Sequence, residues 1–275
     1  MSAARNAWSA CPGGVFLNSL PGQLVKHKKT FMAAVLLRSI RSMGGRFLLR
    51  QVNALLRRIT AFTHKAEFAL DWSVPPTPVW FNHFLDQHYL WHQTRTPLGW
   101  ERGILGLLAM RQGADVLELC CGDGFNTYHF YSIRAGKIIA LDNNRDAIAF
   151  ARQHFKVPNV EYRIADIRSE MPPGPFDNIV WDAGIDYLAE SEIDAVMAAI
   201  KTRLKSDGIL SGYTILEFGR GDLAHGNSYD FASKEDLVRF LQPHFRNVRI
   251  LETIYPTRHN LYFFASDARL PFDSY

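Results

Sequence analysis

The sequence predicts an α/β domain: a seven-stranded, mainly parallel sheet with an antiparallel final hairpin and helices on both faces, preceded by a basic helical N-terminal extension. Three observations predict it. From about residue 100, short apolar runs alternate with helical stretches, the pattern of a parallel sheet. Between the last two runs stand only the turn residues Pro256–Asn260, too few for a parallel crossover, so those strands pair antiparallel. Charge is divided along the chain: residues 1–75 hold 11 Lys and Arg against Glu67 and Asp71, a charge of +9, whereas the remaining 200 carry −5. The basic character therefore belongs to the N-terminal quarter.

Composition sets the outer bounds. With 275 residues, 47% hydrophobic and 21% charged, the chain is neither disordered, collagen-like nor a coiled coil. Cys11, Cys120 and Cys121 are too few for a disulfide framework and point to a reducing compartment. A mean hydropathy of −0.11 excludes a polytopic membrane protein.

Residues 1–25 read as a loose tail without a signal-peptide pattern, and Thr30–Leu37 is too short to span a bilayer. Helices are expected over 30–43 and 46–62, broken at Gly44-Gly45. In the second, Phe47, Leu48, Val52, Leu55, Leu56 and Ile59 form an apolar stripe, with Arg46, Arg50, Arg57 and Arg58 largely off it. Three readings fit residues 30–62: a helical hairpin packed on the main domain, a basic amphipathic contact with an anionic membrane, and an organelle-import segment. A start site upstream of the functional chain would also explain them. Aromatics are not interleaved with the cations, which speaks against a nucleic-acid arm.

The Pro-rich run 73–79 marks a boundary, giving an extension 1–75 and a main domain 76–275. Residues 80–100 read as an aromatic lid. Within it His88 and His92 stand one helical turn apart, but no further ligand completes a site and no metal is expected.

The elements follow in order. A helix is expected at 100–110, then strand 114–119, a Gly turn at 121–124 and a helix from about 126. Strand 137–141 precedes helix 145–154. Strands 160–164 and 178–181 follow, then helix 191–204. A turn at 205–208 leads to strand 208–214, helix 234–241 and strands 248–255 and 261–266. Ligands of such sheets sit at the carboxyl ends of the strands.

Those ends carry acids. The first reads Glu118-Leu119-Cys120-Cys121-Gly122-Asp123-Gly124-Phe125, the second Asp142-Asn143-Asn144; Asp166-Ile167 follows the third, and the fourth ends Asp182-Ala183. A nicotinamide dinucleotide would set its pyrophosphate on the Gly turn, where Glu118 and Asp123 repel it and Thr127 replaces the third glycine. S-adenosylmethionine has no phosphate and carries a sulfonium and an ammonium, which carboxylates suit. Asp142 suits a ribose diol, Asp166 the adenine amine and Ile167 the ring face.

On these residues the chain resembles the class I S-adenosylmethionine-dependent methyltransferases over about 100–268. Their first motif, acid-x-Gly-x-Gly-x-Gly, is matched by Glu118, Gly122 and Gly124 and departed from at Cys120; Asp142, Asp166 and Trp181–Ala183 match the three that follow. The resemblance implies a seven-stranded Rossmann-like sheet. It implies S-adenosylmethionine as cofactor, held by Glu118, Leu119, Cys120, Cys121, Gly122, Gly124, Phe125, Asp142, Asn143, Asp166, Ile167, Asp182 and Ala183. Cys120 is expected to narrow the space beside the methionine moiety.

Methyl transfer needs a base only when the acceptor arrives protonated. Asp182 and His225 are the candidate catalytic residues, His225 because it stands in a Gly-containing loop. Asp186 and Glu217 are further candidates, and Trp91, His92, Arg102, Tyr187 and Tyr213 are the candidate lid or acceptor contacts. The expected acceptor is an O or N atom of a small molecule, sugar or lipid-linked glycan. The acidic main domain argues against nucleic acid. The competing readings are a non-catalytic cofactor-binding module and a nicotinamide-dependent oxidoreductase. A cytoplasmic protein, peripheral to a membrane or imported into an organelle, is the expectation for localisation; oligomeric state is not legible.

Overall fold

The computed structural model describes residues 43–73, 95, 97–216, 228–256 and 258–272. The chain divides into two compact units, Met1–Ala66 and Glu67–Tyr275. Within the described part of the first unit the chain is one helix, α1 (Met43–Ser73), which runs on across the division. Gly44 and Gly45, expected between two helices, are themselves helical and stand at the start of α1; what precedes Met43 lies outside the described residues. The two glycines fall in the first turn, where a helix is least sensitive to poor helix formers. Residues 30–42 lie outside the described residues.

The second unit is built on α2 (Leu98–Ala109), β1 (Asp115–Leu119), α3 (Phe125–His129), β2 (Lys137–Asp142), α4 (Arg145–His154), β3 (Val160–Ile164), β4 (Phe176–Asp182), α5 (Glu190–Arg203), β5 (Leu204–Leu216), α6 (Lys234–Leu241), β6 (Asn247–Tyr255) and β7 (Arg258–Ser266). The sheet order is β3-β2-β1-β4-β5-β7-β6. β1 to β5 are parallel, and β7 runs antiparallel to both β5 and β6. The strand order therefore reverses between β1 and β4, where a crevice opens at the carboxyl ends.

Local chemistry accounts for the boundaries. Asn144 caps α4, its side chain accepting from the backbone of Asp146 and Ala147 at 3.0 and 3.2 Å. Ser233 caps α6 through the Asp236 N–H. The turn expected at 205–208 is a bulge inside β5: pairing with β4 jumps from Phe176–Leu204 to Asn178–Ile209. The helix after the Gly turn is short, five residues, and passes into a 3₁₀ turn at Tyr131–Ile133.

The inner strands are buried on both faces. One core joins Leu117, Leu119, Leu141, Ile179 and Trp181 to Ile193, Met197 and Ile200 of α5 and to Leu237 and Phe240 of α6. The opposite core joins Val116, Ile138, Ala140 and Val180 to Ile148 and Ala151 of α4. Burial on both faces explains why β1, β2 and β4 are mostly apolar on successive residues instead of alternating.

α2 is pinned to the final hairpin by one carboxylate. Glu101 accepts from Tyr255 Oη at 2.9 Å, Tyr262 Oη at 2.9 Å, Thr253 Oγ1 at 3.2 Å and Asn260 Nδ2 at 3.3 Å. Its neighbour Arg102 faces the carboxyl end of β4 (below).

Candidate active site

The chain turns sharply after β1. Cys120, Gly122 and Gly124 all take the left-handed conformation, with φ of 59°, 56° and 80°. Two are glycines, for which this region carries no Cβ penalty; Cys120 holds it against a cost of about 1–2 kcal/mol. At Gly124 a Cβ would come within 2.8 Å of the Tyr162 ring, so glycine is required sterically as well. At Gly122 a Cβ would meet no protein atom within 4 Å: the space above this residue belongs to the cavity.

That cavity has a volume of about 570 Å³ and lies at the strand reversal. Glu118, Cys120, Cys121, Gly122 and Asp123 line it from β1 and its turn, with Phe125 and Asn126 from α3. Asp142, Asn143 and Asn144 close it after β2, Ala165 to Arg168 after β3, and Asp182 to Gly184 with Tyr187 and Leu188 after β4; Arg102 reaches it from α2.

The five carboxylates in this wall differ in their partners. Asp182 is held by Arg102, whose Nε lies 3.1 and 3.0 Å from its two oxygens and whose Nη2 lies 2.9 Å from Oδ2; Asn126 Nδ2 donates to the same Oδ2 at 3.0 Å. Arg102 in turn stacks over the Tyr213 ring at 4.9 Å. Asp166 is paired with Arg168, which draws its carboxyl below the ordinary value through hydrogen bonds from side chain and backbone. Asp123 accepts the Phe125 N–H at 3.0 Å.

Among the described residues no ion pair neutralises Asp142 or Glu118. Asp142 takes one backbone N–H on each oxygen, from Gly122 and from Asn144, both at 2.8 Å. These bonds fix the carboxylate and leave lone pairs free toward the cavity. Glu118 is 2% exposed, with Thr127 Oγ1 donating to it at 2.6 Å. Burial pushes its pKa up to about 8; the Thr127 hydroxyl opposes the rise and the charge of Asp182 adds to it. Asn126 Oδ1, in the same wall, is buried and has no hydrogen-bond partner among the described residues.

The remaining expected residues fall in three groups. Ile167, Ala183 and Tyr187 line the cavity, Tyr187 from its exposed mouth. Leu119 is fully buried in the core and Tyr213 sits behind the cavity, its hydroxyl bonded to Asn260 and Arg258. Trp91, His92, His225 and Glu217 lie outside the described residues. Asp182, expected as a proton acceptor, has both oxygens occupied by Arg102 and Asn126, an arrangement that holds β4's end rather than receiving a proton. The two thiols are free cysteines; burial lifts Cys120 to about 12 and Cys121 well above its ordinary value, so neither is a thiolate at neutral pH.

Asn126, Thr127, Asn144, Arg168, Gly184 and Leu188 were not expected. Asn144 was signalled by its place before an amphipathic helix. Thr127 stood in the sequence only as a missing glycine, and Asn126 carried no signal at all.

Residues 116–208 match a family model described as a methyltransferase domain. Over that stretch the chain is similar to a methyltransferase domain. Over 103 residues, 37% of the chain, it is 31% identical to the ribosomal protein L11 methyltransferase of Thermosipho melanesiensis, and the match spans 38% of that relative's length. Among solved structures the chain is similar to the N-methyltransferase NodS of Bradyrhizobium japonicum: TM-score 0.54, 17% identity, 63% of this chain and 98% of that one. It is also similar to a structure of the Haloferax volcanii Trm112 methyltransferase activator in complex with a methyltransferase: TM-score 0.52, 13% identity, 67% and 94% covered. At these identities the solved structures show the fold.

The methyltransferase cofactor is S-adenosylmethionine, and the cavity's chemistry fits it. Asp142, a carboxylate with no counter-cation among the described residues, and Glu118, a buried carboxyl that a cation would draw into its charged form, face a ligand that carries cations and a diol. The orphaned Asn126 Oδ1 is an acceptor in want of an ammonium donor. The open space above Gly122 admits a ligand against the backbone. A pyrophosphate would meet an excess of negative charge in the same wall.

Proposed function

We propose that this protein transfers the methyl group of S-adenosylmethionine to an O or N atom of a small molecule, sugar or lipid-linked glycan. One observation carries the proposal: a concave cavity of about 570 Å³, within the usual range for small-molecule sites, whose wall holds Asp142 with no counter-cation among the described residues beside the buried carboxyl of Glu118. The acidic balance of residues 76–275 supports an acceptor other than nucleic acid.

When bound, the cofactor supplies a methyl group already activated on a sulfonium. The protein's task is then to hold and align. Asp142 takes the ribose hydroxyls, Asp166 and Ile167 the adenine, and Glu118 with Asn126 the methionine ammonium. Arg102 holds Asp182 and the end of β4 in place, so that Ala183 and Gly184 form a fixed floor. Tyr187, at the mouth, borders the approach of the acceptor.

The test is calorimetric binding of S-adenosylhomocysteine, with NAD as control and Asp142→Ala as a second protein. An acceptor screen that reads S-adenosylhomocysteine release follows, with polyols, amino sugars and lipid-linked saccharides beside RNA and ribosomal protein L11. Micromolar binding weakened at least tenfold by the substitution, with turnover on a small or glycan acceptor, is expected. Binding of NAD instead, or turnover confined to RNA or L11, would overturn the proposal.

A further inference from the structure

We infer that α1 docks on an anionic lipid bilayer, lying in the plane of the headgroups with its apolar face down. Among the residues described in α1, Leu48, Val52, Leu55, Leu56, Ile59 and Phe62 are all exposed, each by 43% to 73%. At about 100° per residue these six fall within one arc of about 120°. Thr63 intrudes on the arc, but its hydroxyl donates back to the carbonyls of Ile59 and Thr60 at 3.0 and 3.1 Å, so it brings no unmet donor to that face. Exposed apolar side chains gathered on one face of a helix signal a partner.

The charge says which partner. Arg46, Arg50, Arg57, Arg58 and Lys65 are exposed and lie opposite the stripe and along one side of it; no acid occurs between Met43 and Ala66, and the helix's two acids, Glu67 and Asp71, come near its C-terminal end. A protein interface pairs its rim with both signs of charge. Cations alone, behind an apolar stripe and along one side of it from Met43 to Ala66, match a surface that is uniformly anionic above and hydrocarbon below. The long Arg and Lys stems reach up to phosphates while the stripe sinks into the acyl boundary. Nucleic acid would use the cations and leave the stripe in water. No described helix is long and apolar enough to cross a membrane, so the contact is peripheral.

Flotation of the full chain with vesicles of phosphatidylcholine alone, and of phosphatidylcholine with phosphatidylglycerol, tests the inference. Binding to the anionic vesicles only, weakened by 0.5 M salt, is expected. The pair Leu55→Glu and Ile59→Glu together, and separately the triple Arg50→Glu, Arg57→Glu and Arg58→Glu, should each lower the bound fraction at least tenfold. S-adenosylhomocysteine binding by both variants reports that the domain is intact. Equal binding to both vesicle types, no binding by the intact chain, or loss through the charge variant but not the apolar one would each overturn it; the last would leave a nucleic-acid arm. A lipid-free dimer abolished by the apolar variant would assign the face to a second copy instead.

Discussion

Glu118 should make cofactor binding depend on pH in a way that no other group in the cavity wall reproduces. Its carboxyl is raised to about 8 by burial, so in the empty domain it is mostly protonated at pH 6.0. A cofactor ammonium pairs with the carboxylate form only, so binding must expel the proton. The apparent dissociation constant then scales as 1 plus ten raised to the difference between 8 and the pH. That factor is about 100 at pH 6.0 and about 4 at pH 7.5, a ratio of about 24, or about 2 kcal/mol. The α-amino group of the ligand, the amine of a free amino acid beside its own carboxylate, stays protonated over this range. Calorimetry of S-adenosylhomocysteine at the two pH values, in buffers of different ionisation heat, reads both the ratio and the release of about one proton. Glu118→Gln should bind weakly and with a flat profile. A wild-type ratio below about threefold, or an equal slope in Glu118→Gln, would refute the reasoning. Stability moves the other way. A carboxyl raised above its ordinary 4.5 leaves the folded state at full strength below pH 4.5 and weakens it as the pH climbs toward 8. Glu118→Gln should therefore stabilise the empty domain at pH 7.5, by at most about 4 kcal/mol, and change it little at pH 4.5.

Three further outcomes are expected. Glu101→Ala removes the acceptor shared by Tyr255, Tyr262, Thr253 and Asn260, of which Tyr262 and Asn260 are buried; urea unfolding should show a loss of about 2–4 kcal/mol, with Glu101→Gln intermediate. Gly122→Ala and Gly124→Ala should separate binding from folding. The first costs stability by only about 1–2 kcal/mol of backbone strain but places a methyl in the cavity and weakens S-adenosylhomocysteine binding at least tenfold; the second adds a clash with Tyr162 and lowers the melting temperature further. Arg102→Met leaves Asp182 buried without its cation; thermal unfolding at pH 7.5 should report a loss of about 3–5 kcal/mol, and part of it should return when Asp182→Asn is added.

Much of the fold could be read before the structure because its signals are local. The apolar runs of β1, β2 and β4, the Gly turn and the acids at Glu118, Asp142 and Asp166 each lie within a few residues of the strand end that gives them meaning. Where reading failed, the local rule was outweighed by position. Lys205–Gly208 reads as a turn, yet neighbouring strands absorb it as a bulge.

By itself, then, the sequence determined the class of domain, the parallel body with its antiparallel hairpin, the cofactor's likeness through the acids at three strand ends, and the amphipathic charge of residues 46–62. Hydrophobic period and turn chemistry act between near neighbours, so they leave a trace in order along the chain. Only the tertiary structure decided what each acid does. Arg102 meets Asp182 across 80 residues and occupies the carboxylate that reads as a base, while Tyr262 reaches Glu101 across 161. Thr127, which breaks a glycine pattern, turns out to be the hydroxyl that holds Glu118. Such pairings are selected by which faces pack once β1 and β4 lie side by side, and burial then sets the charge state of Glu118, a quantity with no local signature.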